Sequence, residues 1–184
     1  ASTTQAQPPA GYYQAAEGLT GEALRQALHD IIDEHTVLAN SALWNAFAQT
    51  DRKANGKVWD MYSDVPGGTP TYEYTFGSDQ CGTYDSEGDC FNREHTFPQS
   101  WFGGIPGPDT DVFHLYPTDA WVNQKRANWP YGTVGSNTTY IADNGGKLGQ
   151  CTYPGCSGLV FEPIDAYKGD LARGKSLYHK VGCV

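Results

Sequence analysis

The residues able to do chemistry crowd between Asp89 and Asn128. There D-C-F-N-R-E-H-T-F-P-Q-S-W-F-G leads through a Gly/Pro-rich connection to D-V-F-H-L-Y-P-T-D-A-W-V-N-Q-K-R-A-N. A carboxylate from Glu94 and an amide oxygen from Asn123 are hard donors of the kind Mg²⁺ accepts while keeping most of its waters. His95 is then free to act as a base. A neutral imidazole beside a metal site deprotonates water near neutral pH, while the cation stabilises charge on a phosphoryl oxygen and on a departing alkoxide. The combination fits phosphodiester hydrolysis. His114 precedes Leu115 and Tyr116 in an apolar segment, which suits structural support of such a site better than direct catalysis.

These groups must be delivered by more than one element. Adjacent residues on an extended strand point to opposite faces, so Glu94 and His95 can border one cavity only at a strand end or a bend. Pro98, three residues on, supports a strand that ends there. The second half reads as a loop up to Pro117 and then a helix whose first turn holds Pro117, Thr118 and Asp119. On that helix Asp119, Asn123 and Arg126 lie along one side, and Trp121, Lys125 and Asn128 along another.

Elsewhere the pattern predicts a polar arm over residues 1–18, then a helix capped by Thr20 with Ala23, Ala27, Leu28, Ile31 and Ile32 as its apolar stripe. A second helix starts at Asn40 or Ser41, buries Leu43, Trp44 and Phe47 and ends near Thr50. Strands are expected over Lys57–Asp64 and Thr71–Phe76, near Tyr140 and Ile141, and around Leu159–Phe161, with a further helix from Pro163. Trp101 and Phe102 are expected in the core.

With 184 residues, 39% of them hydrophobic, the chain can bury one sizeable core, and a single α+β domain is the expectation. No run of 18 apolar residues occurs, so nothing in it should span a membrane. The start A-S-T-T-Q-A-Q-P-P looks like a mature end after signal removal. Five cysteines fit an oxidising compartment, with Cys81 and Cys90 closing a short loop before Glu94, Cys151 and Cys156 pinning a turn, and Cys183 left over. The formal net charge of −9 argues against a protein that coats nucleic acid with its whole surface, so any such contact must be a local patch.

The segments N-R-E-H-T-F-P, D-V-F-H-L-Y-P-T-D and V-N-Q-K-R-A-N resemble the secreted bacterial endonuclease I family. Agreement extends to V-W-D-M-Y-S-D at Val58, D-Q-C-G-T-Y at Asp79 and F-E-P-I-D-A-Y-K-G-D-L-A-R at Phe161. The resemblance implies a ββα-metal (His-Me finger) unit with flanking helices, in a nuclease domain over residues 19–184. It implies His95 as general base, Glu94 and Asn123 as ligands of Mg²⁺ (or Mn²⁺ or Ca²⁺), Arg126, Arg173 and Lys125 as substrate contacts, and His114 as site support. The implied activity is a secreted or periplasmic, monomeric endonuclease acting on DNA and RNA and leaving 5′-phosphate ends. The rival is an inactive extracellular binding module on the same scaffold. Two departures stand out. Asp111-Val-Phe-His114-Leu replaces the family's Asp-Leu-His-Asn, and the tail after Arg173 lacks the apolar helix expected there, as in a short form or a truncated product.

Overall fold

The computed structural model describes residues 10–33, 36–103 and 107–164. Its contacts divide the chain into two units, of which the smaller contains residues 1–36 and the larger residues 37–171. In the smaller unit a 3-10 turn at Gln14–Ala16 precedes helix α1, Gly21–Asp33. Leu24, Ala27, Leu28 and Ile31 form its half-buried stripe, at the spacing of one helix face.

The larger unit mixes helices with two small antiparallel sheets. A 3-10 turn at Asn40–Ala42 runs into α2, Leu43–Thr50, which buries Leu43 and Phe47. Strand β1, Phe91–His95, pairs antiparallel with β2, Leu115–Asp119, in a register that sets Glu94 opposite Tyr116 and His95 opposite Leu115. Between them lies the short helix α3, Gln99–Phe102. Helix α4, Ala120–Arg126, follows β2 directly. Strands β3 (Val134–Ile141), β4 (Lys147–Cys151) and β5 (Leu159–Glu162) complete a three-stranded meander. The β3–β4 register is irregular at Thr138, where Gly149 is required, since a Cβ there would stand 2.5 Å from the Asn137 carbonyl oxygen. Val122 of α4 packs with Met61, Tyr62, Ala142, Leu148 and Phe161, which seats the helix on this sheet. Leu115 of β2 joins Leu43 and Phe47 of α2.

The predicted helix start needs correction. Leu115–Asp119 is a strand and α4 begins only at Ala120. Pro117 lies opposite Arg93 in a two-stranded sheet, where a missing N–H is tolerated. Asp119 is the N-cap, its Oδ1 accepting from the Val122 N–H at 2.7 Å. Its Oδ2 accepts from the Tyr74 hydroxyl and the Gly88 N–H, so the cap is fixed from three sides.

The strands expected over Lys57–Asp64 and Thr71–Phe76 are also absent among the described residues. Val58 makes a single bridge to Arg52 and donates its N–H to Tyr74. Asp60 then takes over the backbone, accepting from the Tyr62 N–H at 2.8 Å, the Ser63 hydroxyl and the Asp119 N–H, and this bends the chain into a turn. Burial, with Asp119 nearby, pushes the Asp60 carboxyl from its ordinary 3.8 up to about 7 despite these donors. The folded protein therefore holds this proton more tightly than the unfolded chain does, and stability should fall as pH rises from about 4 to about 7. Melting curves across that window should lose most of this slope in Asp60→Asn; an unchanged slope would contradict it.

Disulfides join Cys81 to Cys90 and Cys151 to Cys156, as expected, while Cys183 lies outside the described residues. The first closes the loop that leads into β1. The helix expected from Pro163 falls almost wholly outside them too.

Candidate active site

Glu94, His95, Asn123 and Arg126 line one cavity of about 140 Å³, together with Arg93, Pro98, Gln99, Ala127 and Asn128. The strand end makes this possible. His95 is the last residue of β1, so the chain turns just where two neighbouring side chains would otherwise part. Asn123 and Arg126 come from one side of α4, a turn apart, as the helical spacing predicts.

Hydrogen bonds decide which atoms are free to react. His95 Nε2 lies 3.0 Å from the Asp109 carbonyl oxygen. A carbonyl can only accept, so Nε2 carries the proton and Nδ1 keeps its lone pair. Burial holds the imidazole below its ordinary value, and the Asp109 carbonyl and carboxylate pull the other way. Asn123 Nδ2 donates to Asn92 Oδ1 at 2.7 Å and to the Arg93 carbonyl at 3.2 Å. Both amide hydrogens are thereby spent, and Oδ1 is presented as an acceptor.

Glu94 is 1% exposed. Its Oε1 takes the Tyr62 hydroxyl at 2.7 Å, Arg126 Nη1 at 2.8 Å and the Tyr131 hydroxyl at 3.3 Å. All three donors converge on one oxygen, which leaves Oε2 to another partner. Burial raises this carboxyl above its ordinary range, and Arg126 and the two phenols oppose the rise. Glu94 and Asn123 both line the cavity, and each keeps a hard oxygen, Oε2 and Oδ1, that takes no hydrogen bond among the described residues, a donor pair suited to Mg²⁺ or a similar cation. Among the described residues no group of three or more His, Cys, Asp or Glu is placed to hold a metal ion.

Arg126 borders the cavity from a buried position. It is 1% exposed. Nε donates to the Trp129 carbonyl, Nη1 to Glu94 and the His95 carbonyl, and Nη2 to the Thr96 carbonyl. Its guanidinium also lies 4.6 Å from the Tyr131 ring centre. One side chain thus fixes the carboxylate, the strand end and the chain after α4. Lys125 does not line the cavity; its ammonium sits 4.0 Å above the Trp121 ring. Arg173 lies outside the described residues.

His114 is buried, with Nε2 2.7 Å from the Pro108 carbonyl oxygen and its ring 5.8 Å from that of His95. It thereby anchors the 3-10 turn Pro108–Thr110, whose Asp109 carbonyl holds His95. Sequence reasoning missed Asp109, because a backbone carbonyl leaves no mark on residue type. It also missed Tyr62 and Tyr131 as carboxylate partners, whose only signal was two tyrosines with no stated hydroxyl partner.

The Endonuclease I family matches residues 20–181. The chain is 36% identical over 167 residues to an extracellular ribonuclease of Bacillus subtilis (strain 168). It is 39% identical over 171 residues to an extracellular ribonuclease of Bacillus amyloliquefaciens. Each alignment covers 88% of this chain and 50% of the relative, so the chain spans about half the length of the curated relatives it matches. No solved structure matches it. No described helix is long and apolar enough to cross a membrane. With the family matched from the start of α1 to beyond β5, and the motif residues Glu94, His95 and Asn123 brought to one cavity, this chain belongs to the Endonuclease I family.

Proposed function

We propose that the chain is a secreted, divalent-metal-dependent endonuclease that hydrolyses phosphodiester bonds of RNA and DNA without strong sequence preference and leaves 5′-phosphate ends. In this reading β1, β2 and α4 form its ββα-metal unit. The observation that carries it is that His95, Glu94 and Asn123 line one cavity, each with an acceptor atom, Nδ1, Oε2 and Oδ1, that takes no hydrogen bond among the described residues. The extracellular ribonucleases among its relatives support RNA as a substrate and favour an active enzyme over an inactive binding module.

Glu94 and Asn123 would hold the cation, with Mg²⁺ the first choice and Mn²⁺ or Ca²⁺ acceptable to the same oxygens. When bound it would supply positive charge to a phosphoryl oxygen and to the departing 3′ oxygen. His95 Nδ1 takes a proton from water as the water oxygen bonds to phosphorus and the bond to the 3′ oxygen breaks. The Asp109 carbonyl keeps the ring in the tautomer this requires, and His114 keeps the Asp109 turn in place. Arg126 favours the ionised form of Glu94 against its burial and aims the carboxylate, a positioning role in place of the phosphate contact suggested by its charge.

A plasmid and a labelled RNA incubated at neutral pH with Mg²⁺ should both be cut, and excess EDTA should stop the cutting. The new ends should accept ligation without prior phosphorylation. Cleavage that survives EDTA, or RNA products ending in cyclic phosphate, would contradict the reading.

A further inference from the structure

Among the described residues 37–164 four aromatic side chains are exposed: Trp101, Phe113, Trp129 and Tyr153. Three of them sit beside the cavity residues. Trp101, 51% exposed, follows cavity-lining Gln99 by two positions. Trp129, 40% exposed, directly follows cavity-lining Asn128. Phe113, 82% exposed, directly precedes His114, whose ring touches that of His95. These rings adjoin cavity residues in sequence and are open to a ligand.

The two tryptophans are also held firmly. Trp101 meets the edge of Phe97 at 5.3 Å, with the rings at 87°. Phe97 stacks on Phe102, whose ring lies 6.2 Å from that of His95, so ring contacts run from the catalytic base to Trp101. The Trp101 N–H donates to the Pro98 carbonyl at 2.9 Å. Trp129 gives its N–H to the Arg126 carbonyl at 3.1 Å and receives Arg126 Nε on its own carbonyl at 3.0 Å. Both rings therefore ride on backbone tied to the site.

Charge says what such rings are for. The chain carries −9, and among the described residues the cations lining the cavity are Arg93 and Arg126. Arg126 spends four of its five N–H groups on the protein, and Arg93 lies over the Trp44 ring with Nη1 on the Asn40 carbonyl. Phosphate attraction, the usual source of affinity for nucleic acid, gains little from these two side chains, which leaves room for a second source. Base stacking on aromatic rings supplies it, and only unpaired bases have a face to give.

We propose that Trp101 and Trp129 are stacking platforms for unpaired bases flanking the scissile phosphate, so that this site takes single-stranded nucleic acid in preference to duplex. The proposal rests on the nuclease reading for its location, but its test does not need turnover. In EDTA, anisotropy of a labelled mixed-sequence oligonucleotide and of its blunt duplex gives the two affinities without cleavage. The single strand should bind more tightly. Trp101→Ala and Trp129→Ala should each raise its Kd by about fivefold or more, with the duplex Kd unchanged, and Trp→Phe at either position should restore most of the loss. An unchanged single-strand Kd in both alanine variants, equal losses for single strand and duplex, or a wild-type preference for duplex would overturn it. Tryptophan-dependent single-strand binding by a chain that cuts nothing would leave the platforms standing and remove the nuclease reading instead.

Discussion

Replacing His95 by alanine is expected to lower kcat/KM for phosphodiester cleavage by ~10²–10⁴-fold, the usual worth of a positioned general base. Folding and metal affinity should survive, because the ring gives only its Nε2 hydrogen to the Asp109 carbonyl, while Glu94 and Asn123 take their bonds from Tyr62, Tyr131, Arg126, Asn92 and the Arg93 carbonyl. A second signature lies in the pH profile. The base must be neutral, and burial holds it below its ordinary 6.5, so activity should persist above that depressed value and fall only as pH drops through it. The acid limb of kcat/KM should therefore lie below the usual histidine range and vanish from the residual activity of the variant. Wild-type rates in the variant would remove His95 from the reaction.

The second large effect concerns stability. Arg126→Ala should destabilise the fold by roughly 3–5 kcal/mol, because it strands the buried Glu94 carboxylate and empties four hydrogen bonds. For a chain of this size that corresponds to a fall in Tm of about 6–20 °C. Arg126→Lys should rescue little, since one ammonium cannot reach the Glu94 oxygen and the carbonyls of His95, Thr96 and Trp129 together. A residue whose task was to grip phosphate would behave otherwise: the melting curve would stay put and KM would rise. Thermal melts of the two variants separate these outcomes, and an unchanged Tm would contradict the positioning role.

The contrast at Arg126 shows what the sequence could and could not convey. Residue type and order singled out Glu94, His95 and Asn123, and the structure brings these three to one cavity. The short cysteine spacings likewise gave both disulfides, since residues so close in the chain have little else to bond. A helical arginine near them looks like a phosphate contact, and only tertiary packing reveals that it is buried beneath Tyr131 and spent on Glu94. Pro117-Thr118-Asp119 carries the local signature of a helix start, yet pairing with β1 extends the strand to the cap itself. Val58 to Tyr62 has strand-like composition, but Asp60 captures the backbone groups a ladder would need. Trp101, expected in the core with Phe102, stands half in solvent, and Phe102 is only half-buried. At Arg126 and at the start of α4 a local preference lost to a partner distant in sequence.

The account turns on whether Glu94 and Asn123 place a cation within reach of His95. Crystals soaked in Mn²⁺, with anomalous scattering to locate the ion, test this directly. The expected result is one strong peak at coordination distance, ~2 Å, from Glu94 Oε2 and Asn123 Oδ1, inside the cavity that His95 also lines. A peak elsewhere in the protein, or an empty cavity at saturating Mn²⁺, would contradict it.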